Sequence, residues 1–118
     1  MAWIHYSEML VWQKAMDLVD EVCCLVRLLP KEETFALSDQ MRRAAVSIPS
    51  NIAEGHSRQT RKDSNHFLTI AKGSIYELET QIHICLRQAF FSEVEASTSL
   101  SLCDEVSRML TTLLKRNG

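Results

Sequence analysis

Glycine and proline are scarce in this chain, with three Gly and two Pro in 118 residues. A fold of many short strands needs turn residues at every corner. Their scarcity therefore excludes a turn-rich all-β architecture and favours long helices. No apolar run approaches the roughly 20 residues needed to span a bilayer, so no membrane association is expected. The opening "MAWIHYSEML" also lacks the basic segment leading into an apolar stretch that marks a secretory signal. Cysteine is present, but not in a bridging pattern: Cys23 and Cys24 are adjacent, while Cys85 and Cys103 fall in segments of apolar periodicity. All four read as buried thiols of a reducing, cytoplasmic compartment.

Signatures of catalysis are missing as well. No Glu-x-x-His pair occurs, the arrangement that helical bundles use to build metal sites. His56 and His66 lie off the apolar seams and read as exposed side chains near a turn, with His83 a flank residue. No cysteine has a histidine and a carboxylate in a recognisable nucleophile motif. Ser47, Ser50 and Ser57 lack a G-x-S-x-G context. "IAEGHS" has one glycine where phosphate-cradling loops use several. A non-enzymatic protein without metal or cofactor is expected.

What the chain does have is helical periodicity. The 46% hydrophobic and 24% charged fractions are those of an ordinary globular protein. A chain of this length buries roughly two thirds of its unfolded surface, enough for one core, so residues 1–118 read as a single domain. After Ser7, a candidate N-cap, Val11, Ala15, Leu18, Val22, Leu25 and Leu29 step by four and three, the seam of a packed helix. Pro30 and "KEET" end it. A second helix starts near Thr34 and Phe35, with Leu37, Met41, Ala44, Ala45, Ile48 and Ile52 in one register. That register crosses Pro49 without losing phase, which predicts a helix kinked at the proline rather than a loop. Gly55 fits a left-handed stop.

The third helix opens at Thr60, whose pairing with Asp63 resembles a capping box. Its seam is Leu68, Ala71, Ile75, Leu78, Ile82, Cys85 and Ala89. The fourth opens at the capping box "SEVE" from Ser92 and runs through Leu102, Val106, Met109, Leu110 and Leu113. Short connections between long helices make antiparallel neighbours, so the expected fold is an all-α, up-down-up-down antiparallel four-helix bundle.

Two surface features stand out. The net charge of −2 conceals an uneven distribution, because residues 42–72 carry 6 basic and 2 acidic side chains and the flanking segments are acidic. Arg58, Arg61 and Lys62 cluster at the start of the third helix. Unpaired N–H groups and the helix dipole already favour an anion there, so the cluster is a candidate nucleic-acid contact. Separately, Arg43, Ser47, Asn51 and Glu54 on the second helix, with Gly73 and Glu77 on the third, form stripes richer in small polar residues than a solvated helix face. Small residues suit close packing against another helix, so these six are candidate oligomer contacts. Arg43 and Glu54 are about three turns apart, too far to pair with each other along one helix.

"LVWQKAMDLV" (Leu10 to Val19), "QMRRAAVSIPSNIAEG" (Gln40 to Gly55) and "FLTIAKGSIYELETQI" (Phe67 to Ile82) resemble the signature blocks of a bacterial four-helix-bundle family. Its founding members are encoded in intervening sequences of large-subunit ribosomal RNA genes. The family, also called S23-like, includes the accessory variability determinant of diversity-generating retroelements. The resemblance spans essentially the whole chain. It implies a homo-oligomer, a pentameric ring or barrel, acting as a non-catalytic accessory that binds RNA or DNA or a protein handling them, such as a reverse transcriptase. The alternative is a purely protein-binding oligomeric module without nucleic-acid contact.

Overall fold

The computed structural model describes residues 3–118. Four helices build the molecule: α1 (Leu10–Val26), α2 (Leu37–Ser57), α3 (Arg61–Arg87) and α4 (Glu93–Asn117). Short 3-10 turns at Tyr6–Glu8 and Lys31–Glu33 precede α1 and α2. The described residues contain no strand. The architecture is the all-α four-helix bundle that the periodicity predicts, 48 × 25 × 21 Å overall.

The helices are arranged as a square. α1 packs on α2 and α4, α3 packs on α2 and α4, and the diagonal pairs stand farther apart, with no Cα atoms within 8 Å. Contacts between α2 and α3 run in opposite order along the two helices: Met41 meets Cys85, Ser47 meets Ser74, and Gly55 lies against Ser64 and Leu68. The same holds for α1 and α4, where Lys14 pairs with Glu105 at 3.5 Å, Leu10 shares a groove with Leu113, and Asp20 one with Thr98. Both pairs are antiparallel.

The apolar seams form the core. Leu18, Ile48, Ile75, Leu78, Ile82 and Leu110 are completely buried, each burial contributing on the order of 1.5–3 kcal/mol. Across Pro49 the helix is unbroken, and the proline itself is buried. Pro49 has no N–H for the Ala45 carbonyl. Ser50 Oγ and Asn51 Nδ2 donate to the next two carbonyls, Val46 and Ser47, at 2.8 Å each. They add support where the helical ladder is weakest.

Several local expectations are corrected. Ser7 does not cap α1: its hydroxyl is engaged by the His5 ring at 2.7 Å in the preceding turn, and Met9 begins the helix without a side-chain cap. α2 starts at Leu37, because the Lys31–Glu33 turn and the non-helical Ala36 intervene. Gly55 is not a left-handed stop. No described glycine has positive φ, and α2 runs two residues past it, to Ser57. Ala89 does not extend the α3 seam; it is exposed at φ 59 and ends the helix. In α4 the buried line is Ala96, Ser99, Cys103, Val106 and Leu110, with Leu102, Met109 and Leu113 flanking it. Cys24 is exposed and Cys23 half-buried, because the two positions between the seam residues Val22 and Leu25 turn away from the core.

Candidate nucleic-acid interface

α2 and α3 are joined by only three residues. Arg58 leaves α2 in an extended conformation, and the Thr60 side chain accepts from the Asp63 N–H at 3.1 Å to start α3. This tight turn places Arg61 and Lys62 in the first turn of α3, both exposed. Arg58 differs from them. It forms an ion pair with Glu54, and its guanidinium lies over the Phe67 ring, 4.6 Å from the centroid. Its charge is therefore partly offset and its plane already stacked. Neither Arg61 nor Lys62 has an ion-pair partner among the described residues.

Antiparallel packing adds two cations that the sequence pattern does not single out. Asn117 and Leu113 of α4 line the same crevice as Gly55, His56, Arg58 and Ser64, so α4 ends beside the α2–α3 turn. The last turn of α4 carries Lys115 and Arg116. In sequence these look like ordinary basic residues favoured by the C-terminal end of the helix dipole. Nothing local connects them to a cluster more than fifty positions away. Among the described residues they too have no ion-pair partner. The other end of the molecule holds Glu32 and Glu33 before α2 and Glu93 and Glu95 at the start of α4. Lys31 and Arg87 also stand at that end, where these four glutamates outnumber them.

The amino-terminal segment covers the basic end. His56 Nε2–H donates to the Ile4 carbonyl at 2.6 Å, and the Trp3 ring stacks on His56 with centroids 5.2 Å apart and planes at 25°. Ile4 also shares a groove with Arg116. The segment thus lies between the end of α2 and the end of α4.

The candidate oligomer stripes divide. Ser47 is bonded within the chain, its Oγ 2.8 Å from Ser74 Oγ on α3, and Asn51 Nδ2 donates to Ser47 at its carbonyl and its hydroxyl. Part of the small-residue character of α2 therefore serves the α2–α3 contact. Gly55, buried on the same helix, sits close against α3: a Cβ there would lie 3.1 Å from the Ser64 carbonyl oxygen. Arg43 pairs with Asp39 at 2.9 Å, and Glu54 with Arg58. Gly73 and Glu77 are exposed, and space around Gly73 is open. Their outer face also exposes Ile70, Tyr76 and Ile84, which no sequence pattern had singled out.

The buried thiols are chemically quiet. Burial pushes Cys85 up to about 11, with the Glu33 charge adding to the shift. Burial likewise pushes Cys103 up to about 12, with a smaller effect from Glu79. Both remain protonated at neutral pH, whereas a nucleophilic cysteine needs its thiolate.

The fold and this arrangement define a class: small helical-bundle proteins with a charged end and no feature indicating catalysis. Within that class, the chain belongs to the 23S rRNA-intervening sequence protein family, whose model matches residues 7–112. It is similar to the crystal structure of a protein of unknown function from the S23 ribosomal protein family of Bacteroides thetaiotaomicron. The two share 24% identity over 90% of this chain and 99% of that one, with a TM-score of 0.82. At that identity the likeness concerns the fold. No curated protein sequence matches the chain.

Proposed function

We propose that this protein is a non-catalytic, oligomeric scaffold that binds RNA or DNA through the basic end of its bundle. The observation that carries the reading is the meeting of Arg61, Lys62, Lys115 and Arg116 at one end, without ion-pair partners among the described residues. Arg58 contributes orientation more than free charge, since Glu54 holds it. Four cations make a weak contact in one protomer. Repeated around a closed oligomer they gain avidity, provided that the geometry lets them engage together. The outer face of α3, with Gly73 beside exposed Ile70 and Tyr76, supports such an association.

Fluorescence anisotropy with labelled RNA and DNA oligonucleotides tests the reading. Binding is expected to be independent of sequence and steeply salt-dependent. Each neutralised phosphate contributes about −0.9 to the log–log slope on duplex DNA and about −0.7 on single strands. Replacing Arg61, Lys62, Lys115 and Arg116 by Gln should flatten the slope by up to about 2.8 on single strands and about 3.6 on duplex DNA for each protomer engaged. Absence of binding at low salt, or equal binding by the quadruple variant, would sink the proposal.

One feature favours a second reading, a protein partner such as a nucleic-acid-handling enzyme. Trp12, Met16, Val46 and Pro49 line an open apolar groove between α1 and α2, where Met16 is 39% and Val46 50% exposed. If oligonucleotides fail to bind, this groove becomes the leading surface.

A further inference from the structure

We propose that Trp3, mounted on His56, is a base-stacking platform, and that the nucleic acid taken by the basic end is single-stranded. This inference rests on the nucleic-acid reading above and narrows it. Trp3 is 66% exposed, although a tryptophan ordinarily hides most of its surface. It is nonetheless placed by contacts. His56 stacks on it, and His5 meets it edge-on at 6.0 Å between centroids. His5 in turn lies 4.1 Å from Tyr6, and Tyr6 lies 5.3 Å from Trp12 of α1, so a chain of rings ties the segment to the bundle. The bond from His56 to the Ile4 carbonyl holds the adjoining backbone.

The location gives this exposed ring its ligand. His56, on which Trp3 stacks, shortly precedes the turn that leads to Arg61 and Lys62, and Ile4, next to Trp3, shares a groove with Arg116 and Glu8. An aromatic plane at the same end of the molecule as these cations matches the way single strands are held, with bases on rings and phosphates on basic side chains. A duplex keeps its base faces stacked internally and offers an aromatic plane none of them along its length. Arg58 lies over Phe67 at the same turn, and guanidinium planes also accept unstacked bases.

The test uses the full chain carrying Trp12→Phe, which leaves Trp3 as the one tryptophan. Oligothymidylate at low salt should quench Trp3 fluorescence, and a duplex of equal length should not. In the parent chain, Trp3→Ala should weaken oligothymidylate binding about 5- to 100-fold, the loss of one stacked base. Duplex binding and the salt slope should stay unchanged, because both report phosphate contacts. Trp3→Phe should recover part of the loss. Trp3 is largely exposed, so these variants are expected to fold, and circular dichroism checks that they do. Equal single-strand binding by Trp3→Ala, or no quenching, overturns the platform and leaves the phosphate-binding reading standing. Absence of binding to any oligonucleotide overturns both.

Discussion

Ala89 occupies a position that usually belongs to glycine. Its φ of 59 is left-handed, and the surrounding bonds complete a Schellman motif: Phe90 N–H donates to the Cys85 carbonyl at 3.0 Å and Ala89 N–H to Leu86 at 3.1 Å. A Cβ in that conformation is disfavoured by roughly 1–2 kcal/mol. Ala89→Gly should therefore stabilise the protein by about 1 kcal/mol, raising Tm by about 4 °C in calorimetry. An unchanged or lower Tm would show that the glycine's extra freedom in the unfolded chain offsets the relief. The buried thiols give a pH prediction. Their folded pKa values, about 11 for Cys85 and about 12 for Cys103, lie above the 9.0 of an ordinary exposed thiol. Above pH 9 the unfolded chain releases these protons while the folded chain keeps them. The stabilisation is thus complete below pH 9 and is lost as pH rises through the folded values. Cys85→Ala/Cys103→Ala should flatten the decline in Tm between pH 9 and 11; an unaltered pH slope would contradict the assignment.

Two glycines with the same intrinsic helix penalty should respond differently, because α2 and α3 meet at only one of them. Gly73→Ala enters open space and should gain the full propensity difference, about 1 kcal/mol. Gly55→Ala would press on the Ser64 carbonyl and the Leu68 side chain, 3.1 and 3.2 Å away. Its propensity gain is offset there, and chemical denaturation should show no net stabilisation. Equal gains at both sites would show that the helices separate easily. Pro49 poses the matching question for α2. Replacing it by Ala restores a donor for the Ala45 carbonyl and removes a buried ring. Pro49→Ala should retain full helicity by circular dichroism, with stability changed by no more than about 2 kcal/mol. A loss of helical signal would mean that α2 depends on its proline.

Assembly belongs to the whole molecule. The protomer has a packed core of its own, so association must use its outer surface. Asn51 is a poor probe of association, since its amide is bonded inside the protomer. Gly73 is a better one. A Cβ at the exposed Gly73 meets nothing within 4 Å, so Gly73→Trp should leave the protomer helical while reducing the mass measured by light scattering. A parent protein that is monomeric at micromolar concentration would refute the oligomeric proposal. A variant that assembles as the parent does would remove the α3 outer face from the interface.

The helices, their core seams and two of their caps were legible in the chain because each depends on neighbours in sequence. An apolar residue every three or four positions commits one helix face to burial, whatever lies opposite. Thr60 and Ser92 cap N–H groups three residues ahead. The same local reading failed where a distant segment intervened. Gly55 looked like a stop, yet α2 runs past it beside Ser64 and Leu68, and the bond between Ser47 and Ser74 was not legible at all. Arg58 looked like free charge, although its partner Glu54 stands only one helical turn earlier, because spacing permits an ion pair without forming it. The basic end itself required the antiparallel return of α4, which brings Lys115 and Arg116 to Arg61 and Lys62. Periodicity tells each helix which face to bury. Which distant residues then meet depends on the register in which four such faces interlock, and that is set by the packing of all of them together.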